Sequence, residues 1–229
     1  MQNVDLATTP LRDLNAKLHA LGAATNETRW TVANPDGKHA IACGLDAPVT
    51  IEIDGHVGYY CAGMNQQATV VVAGNAGVGV AENMMSGKVH VRGDASQAAG
   101  ATGCGGLLLI DGNAAARCGI SMKGVDIVVR GSIGPMSAFM AQSGNLVVFG
   151  DAGEALGDSL YEARLFVRGH VASLGADCVE KTMEAVDRKA LADVLARADL
   201  AEAASLDEFR FYGSARRLYH FRVDNADAY

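Results

Sequence analysis

Ile51–Gly93 reads IEIDGHVGYYCAGMNQQATVVVAGNAGVGVAENMMSGKVHVRG, and its glycines Gly55, Gly74 and Gly93 stand 19 residues apart. The interval continues to Gly112, Gly131, Gly150 and Gly169 without insertion or deletion. A fixed period over seven units is the mark of a solenoid, in which each repeat stacks on its neighbour. Two residues before each glycine stand Ile53, Val72, Val91, Ile110, Val129, Val148 and Val167. Four before stand Ile51, Val70, Val89, Leu108, Ile127, Leu146 and Leu165. Columns two apart share one face of a strand, and β-branched residues suit it. Each repeat therefore supplies a short strand with an apolar inner face, closed by a glycine turn.

The remaining columns complete a coil. Three residues after the glycine come Gly58, Gly77, Ser96, Ala115, Gly134, Gly153 and Ala172; seven after come Ala62, Ala81, Gly100, Gly119, Ala138, Gly157 and Ala176. Only Gly, Ala and Ser occur there, as tight backbone approach or corners of positive φ require. The residue after each glycine is His56, Asn75, Asp94, Asn113, Ser132, Asp151 or His170, polar in every repeat and suited to a solvent-facing turn. The pattern predicts an all-β fold: a right-handed parallel β-helix of about seven coils, with strands about 4.8 Å apart and a rod of about 34 Å. A leucine-rich repeat has a similar period, but its Leu and Asn framework is missing.

The repeat divides the chain into a cap over 1–48, a β-helix over 49–181 and a C-terminal helix and tail over 182–229. Thr9 and Pro10 read as N-cap and first turn of a helix with Leu11, Leu14, Leu18 and Leu21 on one face, stopped by Gly22. Asp187–Leu200 reads as a second helix, with Leu191, Val194, Leu195 and Ala198 apolar. Both helices are expected to cap rod ends, whose strand edges need cover. The tail from Phe209 is basic and aromatic, with Arg216, Arg217 and Tyr219, and suits either capping or docking onto another subunit.

A formal net charge of -7 argues against non-specific nucleic-acid or anionic-membrane binding. No stretch resembles a signal peptide or a spanning helix, so a cytoplasmic location is expected. The five cysteines are odd in number, scattered and without CxxC. Cys61 and Cys118 share a column three coils apart, about 14 Å, too far for a disulfide or shared metal, and read as small core residues. His56 and His170 lie about 29 Å apart on the same ruler. The GNAGVG segment at Gly74–Gly79 belongs to the repeat columns and lacks the Lys-Ser/Thr of a phosphate loop.

Chemistry on a β-helix would need charged groups on adjacent outward positions. The outward column holds Glu52, Val71, His90, Leu109, Val128, Val147 and Phe166. Its last four members form an apolar strip that a terminal helix or a partner must cover. Leu109, Val128, Val147, Phe166, Arg216, Arg217 and Tyr219 are thus the candidate partner interface. Arg92, Asp111 and Arg130 form a charge ladder on successive rungs, either solvated or part of an interface. No nucleophile, base and orienter converge, so no catalytic, cofactor or metal residue is assigned.

The unit G-x-x-[GAS]-x-x-x-[GA], repeated seven times, resembles the GXGXG-type β-helix at the C-terminus of the glutamate synthase large subunit. With TTPLRDLNAKLH at Thr8–His19, GDAGEALGDSLYEARLFVRG at Gly150–Gly169 and GSARRLYHFRVDNA at Gly213–Ala226, the whole chain resembles the free-standing β-helix subunit of N-methylglutamate synthase. That resemblance implies two partners in methylamine metabolism: a class II glutamine amidotransferase-like subunit, and a glutamate synthase-like subunit holding FMN and an iron–sulfur cluster. The glycine repeat is shared with the β-helix scaffold of formylmethanofuran dehydrogenase-type complexes, which stays open as an alternative.

Overall fold

The computed structural model describes residues 1–216. In chain order the elements are β1 (Gln2–Asp5), α1 (Leu11–His19), β2 (Arg29–Ala33), β3 (Thr50–Asp54), β4 (Thr69–Val72), β5 (Lys88–Val91) and β6 (Leu107–Ile110). They continue with β7 (Lys123–Val129), β8 (Ser143–Val148), β9 (Arg164–Val167), β10 (Cys178–Lys181), α2 (Ala185–Arg197), a 3-10 turn (Leu206–Glu208) and β11 (Arg210–Ser214). Strands β1 to β9 stack in sequence order, all parallel. This is the expected β-solenoid. From β3 to β9 the register repeats the glycine columns: Ile53 pairs with Val72, Val72 with Val91 and Val91 with Ile110. Both inward columns are buried to 1% exposure or less and form one continuous core.

A second ladder closes each coil. Val57, Ala76, Ala95, Ala114, Ile133, Ala152 and Val171 bridge in series. The third side is an arc of alternating backbone handedness. After the reference glycines Gly55 to Gly150, residues five, seven and nine on have positive φ, as in Tyr60, Ala62 and Met64 at 59°, 55° and 56°. Their N–H groups donate alternately to the coil on either side: Tyr60 to Val78 at 2.9 Å, Ala62 to Ile41 at 3.0 Å and Met64 to Glu82 at 2.8 Å. Left-handed backbone costs a non-glycine residue about 1–2 kcal/mol. The inter-coil bonds offset that cost, because a buried unpaired N–H is comparably expensive.

The reference glycines have a different reason from those corners. Gly74 and Gly112 do not adopt positive φ; a Cβ on Gly74 would stand 2.7 Å from the carbonyl carbon of Gly55. They are small because coil rests on coil there. The positive-φ corner lies seven residues on, where alanine is tolerated at Ala62, Ala81 and Ala138.

The parallel stack starts earlier than residue 49. Trp30 pairs with Ile51 and Val32 with Ile53, and β1 adds a further strand outside β2. This coil is spaced by 21 residues (Trp30 to Ile51) and has Asn34 where a glycine would stand, so the 19-residue ruler passes over it. Helix α1 seats Leu14 and Leu18 on the core, with Leu11 and Leu21 at its margin. Its N-cap is Pro10 rather than Thr9, without a side-chain cap, and Ala20 ends it ahead of Gly22. Helix α2 departs from the expected end cap. It lies against the outer face of β7 and β8, along the side of the rod. The chain then returns as β11, inserted antiparallel between β9 and β10.

Candidate interaction site on the outer sheet face

The outward column runs Thr31, Glu52, Val71, His90, Leu109, Val128, Val147 and Phe166 across successive paired strands. Its two halves have different fates. Leu109, Val128, Val147 and Phe166 are buried, at most 5% exposed, beneath Leu191, Val194, Leu195 and Ala198 of α2 and beneath Phe209 and Phe211. Phe211 stacks on Phe166 with ring centroids 5.3 Å apart, and Phe209 meets Phe149 edge-to-face at the same separation. The candidate interface is corrected accordingly: the chain covers this strip itself, so these four side chains are not available to a partner. Apolar area of this size is stabilising only where water leaves both surfaces, and α2 supplies the second one.

Ion pairs fasten the helix along the rod. Arg164 Nε donates to Asp187 at 3.1 Å, and the same carboxylate accepts the Glu184 N–H at 3.1 Å. Arg197 pairs with Asp126, which is buried and also accepts from Asn145 at 2.7 Å. Lys88 reaches Asp199 at 3.1 Å and Arg168 reaches Glu208 at 2.8 Å. These contacts trace α2 from β9 toward β5.

The charge ladder forms in altered order. Asp111 accepts from Arg130 at 3.4 Å, but its other partner is His90 Nε2 at 2.8 Å, one column over, and not Arg92. Arg92 has no ion-pair partner among the described residues and lines a hollow of ≈ 240 Å³ with Thr31, Glu52, Asp54 and Val71. Glu52 meets Arg29 at 4.0 Å. Across β2 to β5 the outer face thus has no covering element among the described residues and is charged.

The turn column carries a feature hidden from sequence reading. Each member accepts the backbone N–H of the next: His56 Nδ1 from Asn75 at 2.9 Å, Asn75 from Asp94 at 2.9 Å and Asp94 from Asn113 at 2.7 Å. Asn113 accepts from Ser132 at 2.9 Å, Ser132 from Asp151 at 2.9 Å and Asp151 from His170 at 2.7 Å. The column is polar because it needs an acceptor one strand spacing away. The available signal was that all its members except the last need only a short side-chain acceptor.

Cys61 and Cys118 are fully buried; burial pushes the Cys118 thiol up to about 12 and the Cys61 thiol higher still. Neither is poised as a nucleophile, since the thiolate is the reactive form. No group of three His, Cys, Asp or Glu suited to a metal occurs among the described residues. No helix among them is long and apolar enough to cross a membrane. Arg216 is exposed and paired with Asp177. Arg217 and Tyr219 lie outside the described residues.

Fold and surface together define a parallel β-solenoid braced by its own side helix. The chain is 64% identical over 229 residues, the full length of both, to Protein GlxC of Rhizobium meliloti (strain 1021), and it belongs to that protein's family. No protein-family profile matches it, and no solved structure does.

Proposed function

We propose that this chain is a non-catalytic assembly subunit of a glutamate-synthase-like complex, in particular N-methylglutamate synthase. The observation that carries the reading is the uninterrupted 19-residue glycine stack, in which each coil rests on the backbone of the one below. Such a rod keeps its length and faces fixed, as a spacer between catalytic subunits must. The resemblance of the terminal segments to the free-standing β-helix subunit narrows the reading to that enzyme. In it, an amidotransferase-like subunit handles the amine, and an FMN-binding subunit with an iron–sulfur cluster completes the conversion of L-glutamate and methylamine to N-methyl-L-glutamate and ammonia. The β-helix holds the two in register.

The test is co-purification from methylamine-grown cells followed by an activity assay. A flavin-bearing complex that makes N-methyl-L-glutamate, and loses that activity when this chain is deleted, is expected. A chain that purifies without a flavoprotein or amidotransferase-like partner overturns the reading.

A further inference from the structure

We infer that the outer face of β2 to β5, which no element among the described residues covers, is the seat of a helix from a non-identical partner protein, with an acidic residue over β5 and a basic residue over β3. The inference rests only on the scaffold role proposed for the chain and not on the identity of the complex.

The sheet has one outer face and two treatments of it. Over β6 to β9 the outward column is apolar and α2 covers it. Over β2 to β5 the same column continues as Thr31, Glu52, Val71 and His90, with no covering element among the described residues. Of the eight flanking positions, Ala33, Thr50, Thr69 and Ala73 are small and Arg29, Asp54, Lys88 and Arg92 are charged, so a second helix meets small residues at β4 and charges on either side of it. The face also continues the line of α2: Asp199, just past the helix, already reaches Lys88 on β5.

Charge selects the occupant. Glu52 and Asp54 make β3 acidic, while Arg92 follows β5. Asp54 and Arg92 are both exposed and have no ion-pair partner among the described residues, whereas Arg130, Arg164, Arg168 and Arg197 on the covered half are all paired. The Thr31 hydroxyl beside them is buried and without a hydrogen-bond partner. Unpaired charges of opposite sign at fixed separation set orientation and exclude wrong partners. From β3 to β5 is two strand spacings, about 10 Å. At about 1.5 Å per residue the complementary charges stand about seven residues apart on the incoming helix.

The experiment places photo-reactive benzoylphenylalanine at Val71 in the full-length chain, expressed in its native host. The expected result is a crosslink to one non-identical protein, within a helical peptide carrying acidic and basic residues about seven apart. Asp54→Lys and Arg92→Glu should each lower the crosslink yield about tenfold, with melting temperatures unchanged because neither side chain has an ion-pair partner among the described residues. A crosslink to a second copy of this chain, a crosslink indifferent to both charge reversals, or none at all overturns the inference. A helix crosslinked as expected from a protein without flavin or amidotransferase character would uphold it while removing the N-methylglutamate synthase reading.

Discussion

The carboxamide oxygen of Asn113 accepts the backbone N–H of Ser132 at 2.9 Å, one rung of a six-rung chain along the turn edge of the rod. The donor is Ser132's main-chain amide, so the rung is insensitive to what side chain stands at 132. It requires an acceptor at 113, while Asn113 Nδ2 also donates to Asp94 Oδ1 at 3.2 Å, so a carboxylate at 113 would face that of Asp94. Asn113→Ser, which keeps a short acceptor as Ser132 does one rung on, is expected to retain most of the stability, and Asn113→Ala to lower it by about 0.5–1.5 kcal/mol, the net worth of one such bond. Thermal denaturation of the two variants checks it; equal losses would mean that the rung carries no stability.

Gly112 and Gly119 separate close approach from backbone handedness. A Cβ on Gly112 would stand 2.8 Å from the carbonyl oxygen of Gly93, whereas one on Gly119 meets only side chains, Met122 Sδ at 3.2 Å and Ile127 Cδ1 at 3.3 Å. Gly119 has φ of 68°, yet Ala62, Ala81 and Ala138 hold the same column. Gly112→Ala is therefore expected to cost about 1–3 kcal/mol through overpacking and Gly119→Ala about 1–2 kcal/mol, the cost of left-handed backbone. Gly112→Val should be worse than either. Urea denaturation of the three variants gives the order.

Asp126 on β7 is the inner anchor of α2. Removing its carboxylate strands Arg197, and Asp126→Ala is expected to cost about 1.5–3 kcal/mol, the range for hydrogen bonds to charged groups. Arg197 is half-exposed and can turn to water, which keeps the loss below that of a wholly buried pair. Faster protease cleavage in the segment after α2, alongside a lower melting temperature, would report the loosened helix.

Alkali should weaken the rod through its core thiols. The Cys118 pKa lies at about 12 in the fold against an ordinary 9.0, with burial as the cause. Below the ordinary value both folded and unfolded chains hold the proton, and stability is at its full level. As pH rises from there toward about 12, only the unfolded chain ionises, so stability is progressively lost. Melting temperature between pH 8 and pH 10 should fall more steeply in the wild type than in Cys118→Ala, the pH slope and not the absolute midpoint being the readout. Native-state alkylation should label exposed Cys104 and spare Cys61 and Cys118.

Phe166 is the aromatic member of the covered strip, stacked on Phe211 and fully buried. Phe166→Ala is expected to cost about 3–5 kcal/mol and to expose apolar surface around α2, read as increased binding of a hydrophobic dye. An unchanged melting temperature would show that α2 and β11 are dispensable for the rod.

Much of this architecture was present in the chain as written, because a solenoid coil is local. Ile51, Ile53, Gly55 and Ala62 meet their equivalents 19 residues on, so constant spacing is itself the contact map. The inward columns, the small columns and the burial of Cys61 and Cys118 follow from that ruler. So does the apolar character of the strip at Leu109, Val128, Val147 and Phe166. The coil before residue 49 escaped it only because Asn34 replaces a glycine and the spacing lengthens. What the period could not contain are the meetings between repeating and non-repeating segments. Arg197 finds Asp126 across 71 residues, and Phe211 returns antiparallel onto Phe166. Such contacts leave no interval to count. They are decided by which surfaces can exclude water together once the rod exists, and that competition is settled only in three dimensions. The tertiary structure thus closes the apolar half of the outer sheet with the chain's own helix and, among the described residues, leaves the charged half open.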